Sequence, residues 1–503
     1  MIKRVMLAAA LLMAAAALFP TWAETTLRIG LISDPDMLDP SLARTFTSRT
    51  VFAALCDKLV DISPELDIVP QLATDWHWTD DGKGLVMKLR SGVRFHDGEP
   101  FNAAAVKYSI DRHQTFPGST RRSEINSIKD IEIIDDLTVK LVLWQPSSPL
   151  LSLLTDRAGM IVSPKAAEAE GDKFADHPVC TGPYKFVERV AQDRIVVERF
   201  ADYWNKDAIK FDKIVYLPIP DSTVRLANLL SGGLDIIETV AAADFDRLGT
   251  DSRVKLYQSS GLGYQGVRFN TNHGELAKKP LGSDPRLREA FELAIDREAL
   301  NQVVFNGHVV PGNQFMPPNS PFYAKEFPVP PRNVEKAKQL LAAAAQPHPT
   351  VTLLVQNLLE LMQAAQVVQA MVGEAGFELK LQTVESNTAI NMSHDGQFES
   401  YLNGWSGRID PDGNIYNFAT CKAPLNDAGY CNPTVDRELD EARIYQTPAE
   451  RLPHYAKAMA ELIKDRPMIF LWHVTWLWAA TPKLAGFTPY PDGLIRPQGL
   501  RKL

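Results

Sequence analysis

The sequence lacks the short motifs that most often mark an enzyme active site. It contains no G-x-S-x-G nucleophile elbow, no G-x-x-x-x-G-K-[ST] phosphate loop and no H-E-x-x-H metal helix. No C-x-x-C or H-x-x-x-H spacing occurs, which argues against a zinc site. We therefore predict that the protein is not an enzyme and needs no metal or cofactor. An active site assembled from distant residues stays open as an alternative.

Positive charge and long apolar runs are also scarce. Lys and Arg number 53 against 61 Asp and Glu, which gives a formal net charge of −8. No basic stripe with interleaved aromatic residues occurs, so nucleic acid is not an expected partner. Beyond the N-terminal segment no apolar run approaches the roughly 20 residues that span a bilayer.

The N-terminal segment has the order of features typical of a secretory signal peptide. Lys3 and Arg4 supply positive charge, residues 5–19 are apolar, and Thr21-Trp22-Ala23 offers a small-residue cleavage site. We expect residues 1–23 to be the signal peptide, with export to the periplasm and cleavage near Ala23. A retained anchor is the alternative, although the apolar run is short for a membrane span. No cysteine lies near this site, so no lipid anchor is expected.

The four cysteines all follow the predicted signal peptide, and an even number in an exported chain favours disulfides. Cys421 and Cys431 enclose a short loop with turn residues, and we predict a bridge between them. Cys56 with Cys180 then follows by elimination, with two buried free thiols as the alternative.

Strand and helix signals alternate along the chain. Apolar residues alternate over residues 25–32 and again at Leu85, Met87 and Leu89, which predicts strands. Asp284 can cap a helix, Pro285 fits its first turn, and apolar positions follow at helical spacing. The mixture predicts an α/β protein. No single linker marks a point where two domains could be separated.

Several segments, in this order, resemble the bacterial extracellular solute-binding proteins of family 5, the oligopeptide-, dipeptide- and nickel-binding group. The segments that carry the resemblance are LVMKLRSGVRFHDGEPF at 85–101, TGPY at 181–184, IVVERFADYWN at 195–205, VRFNTN at 267–272, DPRLREAFELAIDRE at 284–298, and Gly404-Trp405 with Asp410-Pro411-Asp412. The resemblance covers nearly the whole chain after the predicted signal peptide.

The resemblance implies a periplasmic binding protein-like fold of the class II, cluster C type, with two lobes, a hinge and a family-specific extra domain. Lobe I is expected to comprise residues 24–60, 166–265 and 480–503, with the extra domain inserted at 61–165. Lobe II, the ligand lobe, is expected at 266–479. Several chain crossings would form the hinge, which accounts for the missing linker.

The resemblance also implies a function. The protein is expected to be the substrate-binding component of an ABC importer. It would capture peptides, or peptide-like and amino-acid-derived solutes, by closure of the lobes. The closed protein, a monomer, would deliver the solute to a membrane permease with its ATPase complex.

The segment around Trp405 departs from the peptide-binding members. Those members place an aromatic wall at the position of Trp405 and, three residues later, an Asp that pairs with the α-ammonium group of the peptide. Here that later position is Arg408, which suits a carboxylate or phosphate. We therefore predict an acidic or strongly hydrogen-bonding ligand group at Arg408, with Asp410 able to take the cation. The alternative is that Arg408 pairs with Asp410 or Asp412 and touches no ligand.

The residue that would bind the other end of a peptide, its carboxylate, is altered as well. Dipeptide-binding members use an arginine at the start of a helix in the large lobe, but residues 351–400 contain no arginine. Asn357 at this turn, and Tyr264 before the crossing to the second lobe, are further candidate ligand contacts. Trp472, Trp476 and Trp478 favour core and hinge packing.

Two other functions stay open at this point. A binder of metal chelates, like the nickel-binding members, is compatible with Arg408. An exported hydrolase of cell-wall peptides would need an activated nucleophile, for which the sequence has no recognisable motif.

Overall fold

The computed structural model describes residues 25–503. The predicted signal peptide lies outside the described residues. None of the helices in residues 25–503 is both long and apolar enough to cross a membrane.

The strands, in chain order, are β1 Thr26–Leu31, β2 Val60–Ile62, β3 Ile68–Pro70, β4 Ala73–Trp78, β5 Gly84–Leu89, β6 Ile128–Asp135, β7 Thr138–Leu143, β8 Tyr184–Val190, β9 Arg194–Arg199, β10 Lys213–Pro218, β11 Ile236–Ile237, β12 Lys255–Phe269, β13 Val310–Pro311, β14 Thr350–Gln356, β15 Glu378–Val384, β16 Ser400–Trp405, β17 Met468–Ala480, β18 Leu484–Ala485 and β19 Arg501–Lys502.

The α-helices are α1 Phe46–Leu55, α2 Ala103–Thr115, α3 Leu150–Leu153, α4 Pro164–Glu170, α5 Ser222–Leu230, α6 Ala242–Arg247, α7 Pro280–Ser283, α8 Pro285–Leu293, α9 Arg297–Phe305, α10 Val334–Ala343, α11 Leu359–Ala375, α12 Ser386–His394, α13 Asp412–Ala419, α14 Pro433–Ile444 and α15 Pro448–Asp465. Short 3₁₀ helices lie at Arg157–Gly159, Gly171–Asp176, Lys206–Ala208, Leu248–Thr250 and Glu275–Lys278.

One large mixed sheet organises the molecule, with strand order β15-β14-β16-β12-β17-β11-β1-β10-β9-β8 and β13 paired beside β17. β1 runs parallel to β10 and β11, and β14 runs parallel to β15 and β16. The long strands β12 and β17 are antiparallel and join these two parts. We call residues 25–254 with 481–503 the first half, and residues 270–467 the second half.

The crossing strands contain an irregularity between Ser260 and Tyr264, where the register with β17 shifts. Two glycines lie in this interval. At Gly263 an added Cβ would approach the carbonyl oxygen of Trp405 to 1.9 Å, so the close approach of β12 to β16 requires glycine here. The connection between the halves is therefore tightly packed backbone.

A second, antiparallel sheet of order β4-β5-β7-β6 belongs to the first half. Its alternating residues Leu85 and Met87 on β5 and Val139 and Leu141 on β7 are fully buried, and they share a core with Val106 of helix α2. The predicted strand at Leu85–Leu89 is thus confirmed. The predicted boundaries of the lobes and of the extra domain stay a prediction.

Local signals in the sequence also agree with the helix ends. Asp284 caps α8, with its side chain accepting a hydrogen bond from the Arg286 amide at 2.9 Å, and Pro285 occupies the first turn. Both predicted disulfides are present: Cys56 bonds to Cys180, and Cys421 bonds to Cys431. The first joins the end of α1 to the segment before β8, and the second closes a loop after α13.

Glu238, at the end of β11, is a buried acid that ties three elements of the first half together. Its side chain accepts a hydrogen bond from the Ile32 amide at 2.8 Å and lies 3.5 Å from the Thr50 hydroxyl. Burial raises the pKa of Glu238 to about 7. The folded protein therefore holds this proton at pH values where the unfolded chain has lost it.

Glu238→Gln is expected to stabilise the protein at high pH only. A raised folded pKa makes the wild type lose stability as the pH rises from about 4.5 to about 7. The glutamine variant avoids this loss, so its free energy of unfolding should exceed that of the wild type by about 3 kcal/mol at pH 8 and by nothing at pH 4. Urea unfolding at both pH values measures the difference. Glu335→Gln, at an exposed helix position, is the control, and an equal gain at both pH values would contradict the prediction.

Candidate functional site

A cavity of about 280 Å³ lies where the two halves face each other across β12 and β17. The first half contributes residues 32–33, 44–47, 239–240 and 242. The second half contributes the end of β14, the start of α11, helix α12, strand β16 and the loop after α13. The crossing strand β17 adds Trp472 and residues 474–477. The cavity is thus lined from both sides by separate parts of the chain.

Aromatic side chains form much of the cavity wall. Phe46 stacks on Trp476 with ring centroids 4.7 Å apart, and Trp472 packs against Phe305 at 4.9 Å. Trp405 lies edge-on to Phe418 at 4.9 Å. The Trp476 indole donates a hydrogen bond to the Pro491 carbonyl at 3.0 Å, which fixes its ring. Rigid aromatic walls of this kind hold the apolar parts of a small molecule.

A charged cluster lies on the cavity wall. Arg44 donates from Nη2 to both carboxylate oxygens of Asp427 at 3.0 Å, and Arg268 Nη1 lies 3.4 Å from the same carboxylate. Ser393 Oγ donates to Asp427 at 2.9 Å. Although burial opposes ionisation, the hydrogen bond from His394 and the charges of Arg44 and Arg268 bring the pKa of Asp427 to about 2. Two guanidinium groups share one carboxylate, which leaves one positive charge in excess.

Neutral polar groups lie beside this cluster. Gln356 at the end of β14 donates from Nε2 to the Tyr401 hydroxyl at 2.8 Å. Gln265 Oε1 is buried and has no hydrogen-bond partner among the residues that the structure describes. Both glutamines line the cavity, so the site offers hydrogen bonds as well as charge.

Of the five predicted ligand contacts, Trp405 lines the cavity and the other four do not. The Trp405 indole donates to the Gly413 carbonyl at 2.9 Å, which orients its ring. Tyr264 is 1% exposed, and its hydroxyl donates to the Asn414 carbonyl at 2.9 Å, so it serves the core. Asn357 is exposed outside the cavity, and its neighbour Gln356 faces inward instead. Asp410 forms a bidentate ion pair with Arg451 at 2.7 and 2.8 Å.

Arg408 requires a correction. The side chain is 5% exposed and does not line the cavity; its Nε lies 2.6 Å from Asp156 of the first half. Its guanidinium also packs over the Trp405 ring at 4.3 Å. The alternative pairing with Asp410 or Asp412 is not formed either, because those acids pair with Arg451 and Arg443. Arg408 therefore forms an ion pair between the two halves, behind the cavity wall.

Sequence reasoning missed most of the charged lining. Arg44, Arg268, Glu360 and Asp427 lie in unremarkable segments, although a lone arginine in the apolar strand β12 is a signal that could have been weighed. Trp472 and Trp476, interpreted as core and hinge residues, line the cavity, whereas Trp478 is buried in the core as expected.

The two halves are in contact around the cavity, so the structure shows a closed arrangement. Besides the pairs Arg44–Asp427 and Arg408–Asp156, several hydrogen bonds cross between the halves. They are Arg49 Nη1 to Ser406 Oγ at 3.0 Å, Asn387 Nδ2 to the Asp34 carbonyl at 3.2 Å, Arg443 Nη1 to Asn126 Oδ1 at 2.8 Å, and the Ser148 amide to the Arg443 carbonyl at 2.8 Å.

Known proteins similar to this chain agree with this geometry. Residues 67–426 match the model of the bacterial extracellular solute-binding proteins, family 5. The glutathione-binding protein of Pectobacterium atrosepticum is 30% identical, and the match covers 98% of this chain and 97% of that protein. That of Salmonella typhi is also 30% identical, over 97% of this chain and 96% of the relative.

Solved structures give the same result. A periplasmic binding protein from A. tumefaciens R10 in complex with agropinic acid has a TM-score of 0.86 at 27% identity, over 95% of this chain and 99% of that one. The murein tripeptide-binding protein of Escherichia coli has a TM-score of 0.87, and the match covers 95% of this chain and 98% of that one. Its sequence identity is 24%, so this likeness supports the fold alone. The predicted two-lobed, periplasmic binding protein-like α/β fold is confirmed.

Proposed function

The chain belongs to family 5 of the bacterial extracellular solute-binding proteins, and from this premise we propose that its cavity captures a small peptide or a peptide-like, amino-acid-derived solute. Proteins of this family serve as the binding components of ABC importers. Capture proceeds by closure of the lobes, with the ligand stabilising the closed arrangement over the open one. The closed protein then docks on its permease.

The observation that carries this proposal is the cavity between the two halves. Each half supplies one wall, so a bound molecule contacts both and favours closure. The volume of about 280 Å³ is close to the lower end of the roughly 300–1,000 Å³ of small-molecule sites. It suits a solute of two or three residues better than a long peptide.

The finer parts of the proposal concern the partners and the compartment. We propose that the protein acts as a monomer, that residues 1–23 are removed on export to the periplasm, and that an ATPase complex drives the partner permease. The solute is released unchanged, without catalysis. The two halves correspond to the predicted lobes, with the antiparallel sheet β4-β5-β7-β6 as the extra domain.

The name of the relative makes glutathione the first compound to test. The protein is stripped of any co-purifying solute by unfolding and refolding with its disulfides intact. Calorimetry then follows with glutathione, a panel of di- and tripeptides, and agropinic acid. We expect one compound class to bind at one site per chain, to raise the melting temperature and to be recovered intact. Cleavage of a compound, or no binding by any of them, would contradict the proposal.

Trp476→Ala is expected to weaken the binding of whichever of these compounds binds by at least about tenfold. The Trp476 ring forms a fixed wall of the cavity, and truncation of such an aromatic anchor commonly has a large cost. Trp144→Ala is the matched control, because Trp144 is 64% exposed and lies outside the cavity lining. Equal affinities of the two variants would show that the solute does not bind in this cavity.

A further inference from the structure

The cavity contains a half-buried acid that has no ion-pair or side-chain hydrogen-bond partner among the residues that the structure describes. Glu360 lies in the first turn of α11 and lines the cavity. Its Oε1 is buried without a hydrogen-bond partner within residues 25–503, and so is the Thr239 hydroxyl, which lines the same cavity. Thr239 adopts a φ of 51°, a strained conformation for a β-branched residue, and such strain is concentrated at functional sites. These two groups lack the polar partners that buried oxygens normally have.

The two groups share Arg225 as a neighbour. Arg225 connects them, because its Nη2 donates to the Thr239 carbonyl at 2.6 Å and its charge acts on Glu360. The guanidinium of Arg225 also donates to the carbonyls of Ile219 at 2.5 Å and of Glu238 at 3.1 Å. Arg225 is therefore committed to backbone oxygens and makes no ion pair with Glu360.

The surroundings of Glu360 favour a cation. Burial raises the pKa of Glu360, and the nearby carboxylates of Asp244 and Asp221 raise it further against the opposing charge of Arg225. The wall of the same cavity includes Phe305 and Trp472, and aromatic faces attract cations. A bound ammonium group would supply the missing hydrogen bonds and stabilise the ionised carboxylate.

The excess positive charge lies elsewhere in the cavity. The cluster of Arg44, Asp427 and Arg268 carries it, and Arg268 donates only long hydrogen bonds of 3.4 Å, from Nη1, among the described residues. Asp427 bonds to Arg44, Arg268 and Ser393, whereas Glu360 lies in the first turn of α11 and bonds to none of these residues. The cavity wall thus carries a cationic cluster and a separate acidic side chain on different elements.

We propose that the solute is bipolar, with an ammonium group bound by Glu360 and Thr239 and a carboxylate bound by Arg268 and Arg44. This inference rests on the proposed function and names the chemistry of its ligand. Glu360, Thr239, Arg268 and Arg44 all line the cavity, and Arg408 does not.

The test combines a change in the protein with a change in the probe. Glutathione and the dipeptides of the panel are compared with their N-acetylated forms, which lack the ammonium group. In the wild type, N-acetylation should weaken binding at least about 30-fold, because a buried ion pair loses one partner. In Glu360→Gln the parent compounds should bind about 30-fold more weakly than they bind the wild type. N-acetylation should then lower their affinity for the variant by less than about threefold. C-terminal amides of the same dipeptides, tested on Arg268→Gln, provide the reciprocal comparison.

Glu374→Gln is the matched control, since Glu374 lies on the same helix with its side chain 60% exposed. Its affinities should equal those of the wild type. If N-acetylated compounds bind the wild type as tightly as their parents, or if the penalty persists in Glu360→Gln, the inference is overturned and the proposed function stands. If no peptide-like compound binds the wild type, the proposed function fails and this inference fails with it. Melting temperatures of all variants establish that each is folded.

Discussion

Arg408→Met is expected to weaken solute binding by about 10- to 100-fold, by the same factor for every compound that binds. Arg408 belongs to the second half and its partner Asp156 to the first, and their 2.6 Å contact is buried. The contact exists only while the halves are closed. Its loss therefore lowers the stability of the closed state relative to the open one, and affinity falls because solute binds through closure.

The size of this effect depends on which ion-pair partners Asp156 retains in the variant. Removing one partner of an isolated buried pair costs about 3–5 kcal/mol. Asp156 retains Arg49 at 2.9 Å and Arg157 at 3.4 Å, so its carboxylate is not left alone and a smaller loss is expected. Although burial opposes ionisation, the charges of Arg408 and Arg49 hold the pKa of Asp156 well below its usual range. Methionine keeps an aliphatic side chain beside Gly413, and its thioether replaces the guanidinium that packs over the Trp405 ring.

Calorimetry on several compounds separates this closing contact from a ligand contact. A closing contact scales all affinities equally, whereas a ligand contact changes the ratio between a compound and its N-acetyl or amide derivative. Small-angle scattering should show a larger fraction of open protein in Arg408→Met at the same solute concentration. Arg437→Met, at a position 60% exposed in the second half, is the control. Unchanged affinity in Arg408→Met would refute the closing role.

Much of the framework could be predicted because its signals are local. The cap of Asp284 and Pro285 sets the start of α8, and the alternation at Leu85 and Met87 sets a strand, whatever the rest of the chain does. The cysteine pairs follow from compartment and count. These features need only neighbouring residues, and the structure agrees with them.

The candidate site could not be predicted in the same way. The role of Arg408 depends on Asp156, which lies in a distant part of the chain, so the neighbouring acids were the wrong partners to weigh. Glu360 and Asp427 look like surface residues in sequence, and only the folded arrangement places them on the cavity wall. Trp405 was identified because the family motif carries it. The family motif predicted an aromatic residue on the cavity wall, but it did not predict the charged residues that line the same cavity.

Cys56→Ala/Cys180→Ala is expected to lower the free energy of unfolding by about 5 kcal/mol, the largest stability effect predicted for this protein. The bridge spans a sequence separation of 124, and closing so long a loop restricts the unfolded chain strongly. Both cysteines are buried, at 3% and 0% exposure, so alanine keeps these positions apolar, and the small cavity that it leaves adds to the loss. Urea unfolding of the oxidised wild type and the variant measures the loss.

Cys421→Ala/Cys431→Ala is the matched comparison, because its bridge closes a separation of only 10 and should contribute about 3 kcal/mol. If both variants lose the same stability, loop closure in the unfolded chain is the wrong explanation. Solute affinity gives a second criterion. Cys56 follows α1, whose first residues line the cavity, yet a bridge that acts through the unfolded state leaves the folded site unchanged. The Cys56/Cys180 variant should therefore bind solute as tightly as the wild type, and a parallel loss of affinity would show that the bridge also holds α1 in place.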